Sequence, residues 1–239
     1  MYLGYQASLD WLTAMREIVA TRAPLSAELT VFVAPSFPVL ESARSILAGT
    51  GVVLGAQNCS TAGGALTGEV SPALLAELGV GLVEIGHAER RRLFGETDAV
   101  VALKTEAAAS AGLTPLLCVG ETVRSSPASA ARVCLEQVSA GLSASVPLDD
   151  VVVAYEPVWA IGAAEPAEPG YVNEVVGQLR ELLQQRLGGG RPSIIYGGSA
   201  GPGLLARLDA VDGLFLGRFA HDSAGFGQVL DEAIHRSSH

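Results

Sequence analysis

Short apolar runs alternate with amphipathic stretches along the whole chain, and this alternation restricts the possible folds more than any other feature. Residues 29–34 (LTVFVA) form a β-branched run closed by Pro35, and residues 39–49 follow with helical periodicity. Further strand runs are expected at 52–57, 82–86, 114–119, 151–155, 193–196 and 213–216. Helices are expected at 8–23, 71–78, 99–111, 128–143, 172–187, 201–208 and 224–235. Ser71-Pro72 supplies an N-cap and a first-turn proline, and Gly112 a helix stop. Strand–helix alternation of this kind means βαβ units and a parallel sheet. No linker or low-complexity segment divides residues 1–239, so a single domain is expected, with residues 163–169 as a loop. Seven strands are counted where a closed (β/α)8 barrel needs eight, so the first strand is the missing one.

Composition suits that architecture. Hydrophobic residues make up 49% of the 239 residues, charged residues 17% and aromatics only 5%. Ala, Val, Leu and Gly therefore supply both the doubly buried strands and the helices covering them. No apolar run approaches the ~20 residues of a membrane span, and no basic-then-apolar secretory leader is present. A cytoplasmic protein is expected. Cys59, Cys118 and Cys134 have no metal-like spacing and read as reduced thiols. A formal charge of −10 argues against nucleic acid or an anionic membrane as partner. It is compatible with a small phosphorylated ligand, because backbone N–H groups bind phosphate without a basic surface.

Chemistry-bearing residues gather at the expected strand ends. Glu156 follows a buried run and precedes Pro157-Val158-Trp159-Ala160-Ile161-Gly162, an apolar flap suited to act as a lid. Burial there raises a carboxyl pKa toward values useful for proton abstraction; the plainer alternative is a helix-capping or surface acid. His87, after Val83-Glu84-Ile85-Gly86, is placed to open a short helical turn. A helix N-terminus disfavours the imidazolium, which leaves a neutral ring able to donate to a carbonyl oxygen; alone, the residue reads more readily as structural. Glu89 is either a proton-relay partner or a first-turn acid bonded to Arg90. Tyr196-Gly197-Gly198-Ser199 and Leu216-Gly217-Arg218-Phe219 place glycine turns on the last two strands, where barrels often hold phosphate.

These motifs, with Gly55-Ala56-Gln57-Asn58, Leu66–Pro72 and Leu117-Cys118-Val119-Gly120-Glu121, occur in an order that resembles the triosephosphate isomerase family along nearly the whole chain. The resemblance implies a TIM (β/α)8 barrel and a dimeric aldose–ketose isomerase needing no cofactor and no metal, whose partner is a small phosphorylated sugar. It implies catalytic roles for Glu156 as the base, His87 as the neutral electrophile and Glu89 in proton relay. Gly162, Ser199, Gly217 and Arg218 would hold the phosphate. Trp159 would anchor the lid, Tyr196 would bond to it when closed, and Thr67 would dock into a second subunit. The expected reaction interconverts dihydroxyacetone phosphate and glyceraldehyde 3-phosphate through an enediolate; a tetrulose-phosphate isomerase and an inactive phosphosugar-binding barrel are the alternatives.

The sequence departs from the family at several points. Met1 aligns with the methionine of an opening Asn-x-Lys-Met motif, so the first strand and the catalytic lysine have no counterpart. A start further upstream is expected, because every other site element is retained; a barrel short of one strand is the alternative. The only lysine, Lys104, falls mid-helix and is not expected to replace the missing one. Ala88 stands where serine is usual. The lid ends in Gly162-Ala163-Ala164-Glu165, and the final turn reads Gly217-Arg218. An arginine there can donate to phosphate directly, and these changes suit a divergent branch acting on tetrulose phosphates as well as they suit drift.

Overall fold

The computed structural model describes residues 2–22, 29–162, 166–186 and 190–237. Seven parallel strands run in sequence order through one sheet: β1 Phe32–Val33, β2 Val53–Ala56, β3 Leu82–Ile85, β4 Thr114–Val119, β5 Val152–Tyr155, β6 Ser193–Gly198 and β7 Gly213–Leu216. Strict order with only parallel neighbours is what right-handed βαβ crossovers generate when each strand is added beside the last. The sheet curls far enough that Phe32 of β1 and Phe215 of β7 meet with ring centroids 5.8 Å apart. It is a TIM-barrel fold.

Helices α1 Tyr5–Ala20, α2 Leu40–Ile46, α3 Pro72–Glu77, α4 Ala88–Phe94, α5 Asp98–Ser110, α6 Pro127–Gly141, α7 Pro169–Arg186 and α8 Ser223–Ser237 cover the outside. Ser71 caps α3 as expected, its hydroxyl accepting from the Leu74 N–H at 3.2 Å. None of the helices among the described residues is long and apolar enough to cross a membrane.

Two layers of core follow from the two-residue period of the strands. Side chains such as Val83, Ile85, Leu117, Val119, Val153 and Tyr155 point outward and pack against the helices in the large core. The alternate positions, Leu82, Leu116, Cys118, Ala154 and Ile195, form a smaller cluster inside the lumen, with Phe32, Val53, Val152 and Phe215 packed against it. Glu84 and Glu156 belong by alternation to this inner set. The three cysteines are free and buried.

Two elements differ from expectation. Residues 201–208 are not an α-helix; only a 3-10 turn, Leu205–Arg207, forms there. The segment begins Gly201-Pro202-Gly203, and Gly203 adopts φ +81°, which interrupts helical hydrogen bonding at its first turn. The run at 29–34 contracts to Phe32–Val33, extended by a bond from the Val53 N–H to the Val31 carbonyl.

Candidate active site

Strands β3 and β5 bring the two sharpest sequence candidates together. In β5, Tyr155 lies in register with both Tyr196 of β6 and Val119 of β4, and the Glu156 N–H continues the ladder to the Val119 carbonyl at 2.8 Å. Glu156 therefore leaves the strand with its side chain directed over the lumen, 5% exposed. Gly197 makes room for it: a Cβ at that position would stand 2.6 Å from both Cγ and Oε1 of Glu156. On β3, Gly86 at φ +74° turns the chain out of the strand, and His87 becomes the N-cap of α4. The His87 Nε2 atom then lies 3.7 Å from Glu156 Oε2.

Electrostatics fit a base beside a proton donor. Burial raises the pKa of Glu156, only partly offset by His87 and by the neighbouring Cys118 thiol. Oε2 of Glu156 is buried with no hydrogen-bond partner among the described residues, so the atom facing His87 is unsatisfied. At His87 two influences oppose each other. Burial lowers its pKa, but the carboxylates of Glu156, Glu84 and Glu89 outweigh burial and raise it. Against this, the Glu89 backbone N–H donates to Nδ1 at 3.3 Å. A donor aimed at Nδ1 excludes a proton there, so forming imidazolium requires breaking that bond. The neutral ring carrying its hydrogen on Nε2, toward Glu156, is the form this geometry holds.

The other sequence candidates separate into three groups. Glu89, Gly162, Ser199, Gly217 and Arg218 border the same cavity as Glu156 and His87. The Glu89 side chain is about half exposed, with Oε2 3.9 Å from His87 Nδ1. Arg90 turns away from it to donate to Glu96 at 2.5 Å, so the simple Glu89–Arg90 pairing is not formed. Arg218 opens a 3-10 turn after Gly217 and reaches back toward Gly162, which has φ +77°. Ala163, Ala164 and Glu165 lie outside the described residues.

Trp159 and Tyr196 do not border that cavity. Trp159 Nε1 donates to Glu121 Oε1 at 2.7 Å, and the Ala167 N–H donates to the Tyr196 hydroxyl at 3.1 Å. Glu121 also accepts from Tyr171 at 2.8 Å and Tyr155 at 3.3 Å, so a single buried carboxylate gathers the base of the flap. Sequence reasoning assigned Glu121 no role, although it stands in a conspicuous Val-Gly-Glu strand end. Thr67 belongs to neither group: residues 62–69 form an exposed loop, closed at its base by the Ser60 N–H to the Val70 carbonyl at 2.9 Å.

Lys104 lies mid-helix in α5, as expected, but its side chain is turned away from solvent. It is buried, and its ammonium donates to Asn58 Oδ1 at 2.7 Å and to Glu96 Oε1. It thus supports the root of the 62–69 loop from outside the sheet, and its bonds go to neither Glu156 nor His87. Glu84 is the second functional candidate that sequence reasoning passed over. It is 8% exposed and borders the cavity, with Oε1 3.9 Å from His87 Nε2. An acid in the middle of an apolar strand run was the signal available for it.

A barrel with a buried carboxylate and a neutral imidazole facing each other at one strand-end mouth, opposite glycine turns, defines an isomerase-type site for proton transfer beside a carbonyl. Comparison with known proteins agrees. The family model described as Triosephosphate isomerase matches residues 1–233, and the chain belongs to the triosephosphate isomerase family. It is 51% identical to the L-erythrulose-1-phosphate isomerase of Pectobacterium atrosepticum, covering 100% of this chain and 94% of that one. It is 41% identical to the triosephosphate isomerase of Magnetococcus marinus, over 95% and 92% of the two chains. The crystal structure of triosephosphate isomerase from Bartonella henselae superimposes with a TM-score of 0.84 at 31% identity, covering 99% and 96%. The protein is a sugar-phosphate isomerase.

Proposed function

We propose that the substrate is a phosphorylated tetrulose, isomerised by direct proton transfer between adjacent carbons. The Glu156–His87 pair at 3.7 Å is the observation on which this mechanism rests. Glu156, ionised, removes the proton from the carbon next to the carbonyl. His87 donates from Nε2 to the carbonyl oxygen, so the developing enediolate is neutralised where charge appears. Glu156 then returns the proton to the former carbonyl carbon while His87 Nε2 takes a proton from the other enediol hydroxyl, which becomes the new carbonyl and restores the neutral ring. Glu89, half exposed beside His87, serves the proton relay. A glutamate base paired with a neutral histidine under a closing lid is the known chemistry of the triosephosphate isomerase family. Burial raises the pKa of Glu156, so turnover should increase as pH rises through its titration.

Backbone N–H groups at Ser199 and Gly217, with Gly162 and the Arg218 guanidinium, hold the phosphate on the β6–β7 side. Trp159 and Tyr196 fix the two ends of the lid. Thr67, at the tip of the exposed loop, enters the site region of a second copy in a cytoplasmic homodimer.

The relative at 51% identity supports the tetrulose over the triose. A triose phosphate is the second reading, supported by the triosephosphate isomerase at 41% identity. The test is kcat/KM for L-erythrulose 1-phosphate and for dihydroxyacetone phosphate measured side by side. A clear preference for the four-carbon substrate is expected; a preference for the triose contradicts the assignment.

A further inference from the structure

The inner face of β3 carries a carboxyl that the proton-transfer mechanism leaves unused. Glu84 lies opposite Leu116 of β4 in register and points into the lumen with Leu82. Among the described residues its one hydrogen-bond donor is the Cys118 thiol, at 3.9 Å from Oε1. A thiol at that range satisfies a carboxyl poorly, and buried polar groups without a good partner are rare unless a ligand or water completes them. The same oxygen stands 3.9 Å from His87 Nε2, so Glu84 forms the floor of the cavity beneath the reacting pair.

Topology fixes which part of a substrate reaches that floor. The phosphate turns at Ser199 and Gly217 end β6 and β7, separated from β3 in the sheet order by β4 and β5. Ser199 and Gly217 border the same cavity as His87 and Glu84. A ketose phosphate held by those turns presents its reacting carbons to Glu156 and His87. A triose phosphate ends there, whereas a tetrulose phosphate continues by one hydroxymethyl group on the side away from the phosphate.

We propose that Glu84 is a specificity-determining residue whose carboxyl hydrogen-bonds the hydroxyl of this additional carbon. The proposal deepens the isomerase reading and rests on the same placement of the phosphate. Burial pushes the Glu84 pKa up to about 7, so near neutrality the group can accept from a hydroxyl or donate to one. Discrimination arises from both directions: the longer substrate completes a buried carboxyl, and the shorter one leaves it unpaired.

Binding of unreactive polyol phosphates separates this claim from catalysis, because neither glycerol 3-phosphate nor erythritol 4-phosphate has a carbonyl to isomerise. Titration calorimetry on the full chain should show Glu84→Leu weakening erythritol 4-phosphate by about 10- to 100-fold, the range for losing a hydrogen bond to a charged partner. Glycerol 3-phosphate should change by less than about threefold, since an isosteric apolar group makes no contact with it. Glu84→Gln, which keeps both volume and hydrogen-bonding capacity, should retain most of the discrimination and guards against a folding defect in the leucine variant. Equal weakening of both ligands by Glu84→Leu, or no weakening of either, overturns the proposal. Wild-type protein that prefers erythritol 4-phosphate yet isomerises neither ketose phosphate would instead overturn the isomerase reading and leave Glu84's discrimination standing.

Discussion

Replacing Gly197 by alanine isolates the positioning of Glu156 from its chemistry. The backbone at Gly197 is outside the left-handed region, so alanine brings no conformational strain. The added methyl would stand 2.6 Å from Glu156 Cγ and Oε1 and 3.1 Å from Cδ. Relief to ordinary van der Waals separation near ~3.5–4.0 Å requires the carboxylate to move by roughly 1 Å. A displacement of that size at a reacting group costs on the order of 10²-fold in rate. Gly197 does not itself hold the phosphate, so the loss should fall on kcat, with KM within about threefold. Overpacking should lower stability by about 1–3 kcal/mol, which leaves the variant folded at room temperature. Steady-state kinetics with L-erythrulose 1-phosphate, accompanied by a thermal melt, are the assay. A folded Gly197→Ala enzyme with kcat within about threefold of wild type would show that the close packing on Glu156 does not set its position.

Two further predictions concern stability. Lys104→Met leaves the buried Glu96 with Arg90 as its one remaining cationic partner among the described residues, and takes from Asn58 its lysine donor. Urea unfolding should show a loss of about 3 kcal/mol, the lower end for breaking a buried ion pair; a loss below about 0.5 kcal/mol would mean that the cluster contributes nothing at the loop root. Glu84 should make stability fall with pH. Its carboxyl ionises near 4.5 when unfolded but near 7 when folded, so the unfolded state releases the proton first. The contribution is whole below about 4.5, declines up to about 7 and is flat above, amounting to about 3 kcal/mol over that window. Comparing unfolding of wild type and Glu84→Gln across this range checks it: the amide variant should lack that share of the decline, and parallel curves would contradict it.

Most of the fold is legible in the sequence because parallel strands buried on both faces must be continuous apolar runs, and the seven expected runs are the seven strands. The segment 201–208 reads as a helix because Leu204, Leu205 and Leu208 have helical spacing, while Gly-Pro-Gly at its start denies the first turn its hydrogen bonds. Glu156 and His87 are legible because one follows a strand end directly and the other follows after a single glycine. Glu84 is not, since a two-residue period says that one face differs from the other but not which of them is the lumen. Lys104 is harder still. A solitary lysine in an alanine-rich helix reads as solvated, and its partner Asn58 lies 46 residues away in sequence.

The central claim is that Glu156 moves a proton between carbon atoms of the substrate. Incubating L-erythrulose 1-phosphate with the enzyme in deuterated water and following the substrate by proton NMR tests it directly. Wild-type enzyme should place solvent deuterium on the carbons flanking the transferred carbonyl as substrate and product equilibrate. Glu156→Gln should show neither exchange nor product at any pH, because the amide cannot accept the proton. Isomerisation or exchange at the wild-type rate by Glu156→Gln would contradict the account.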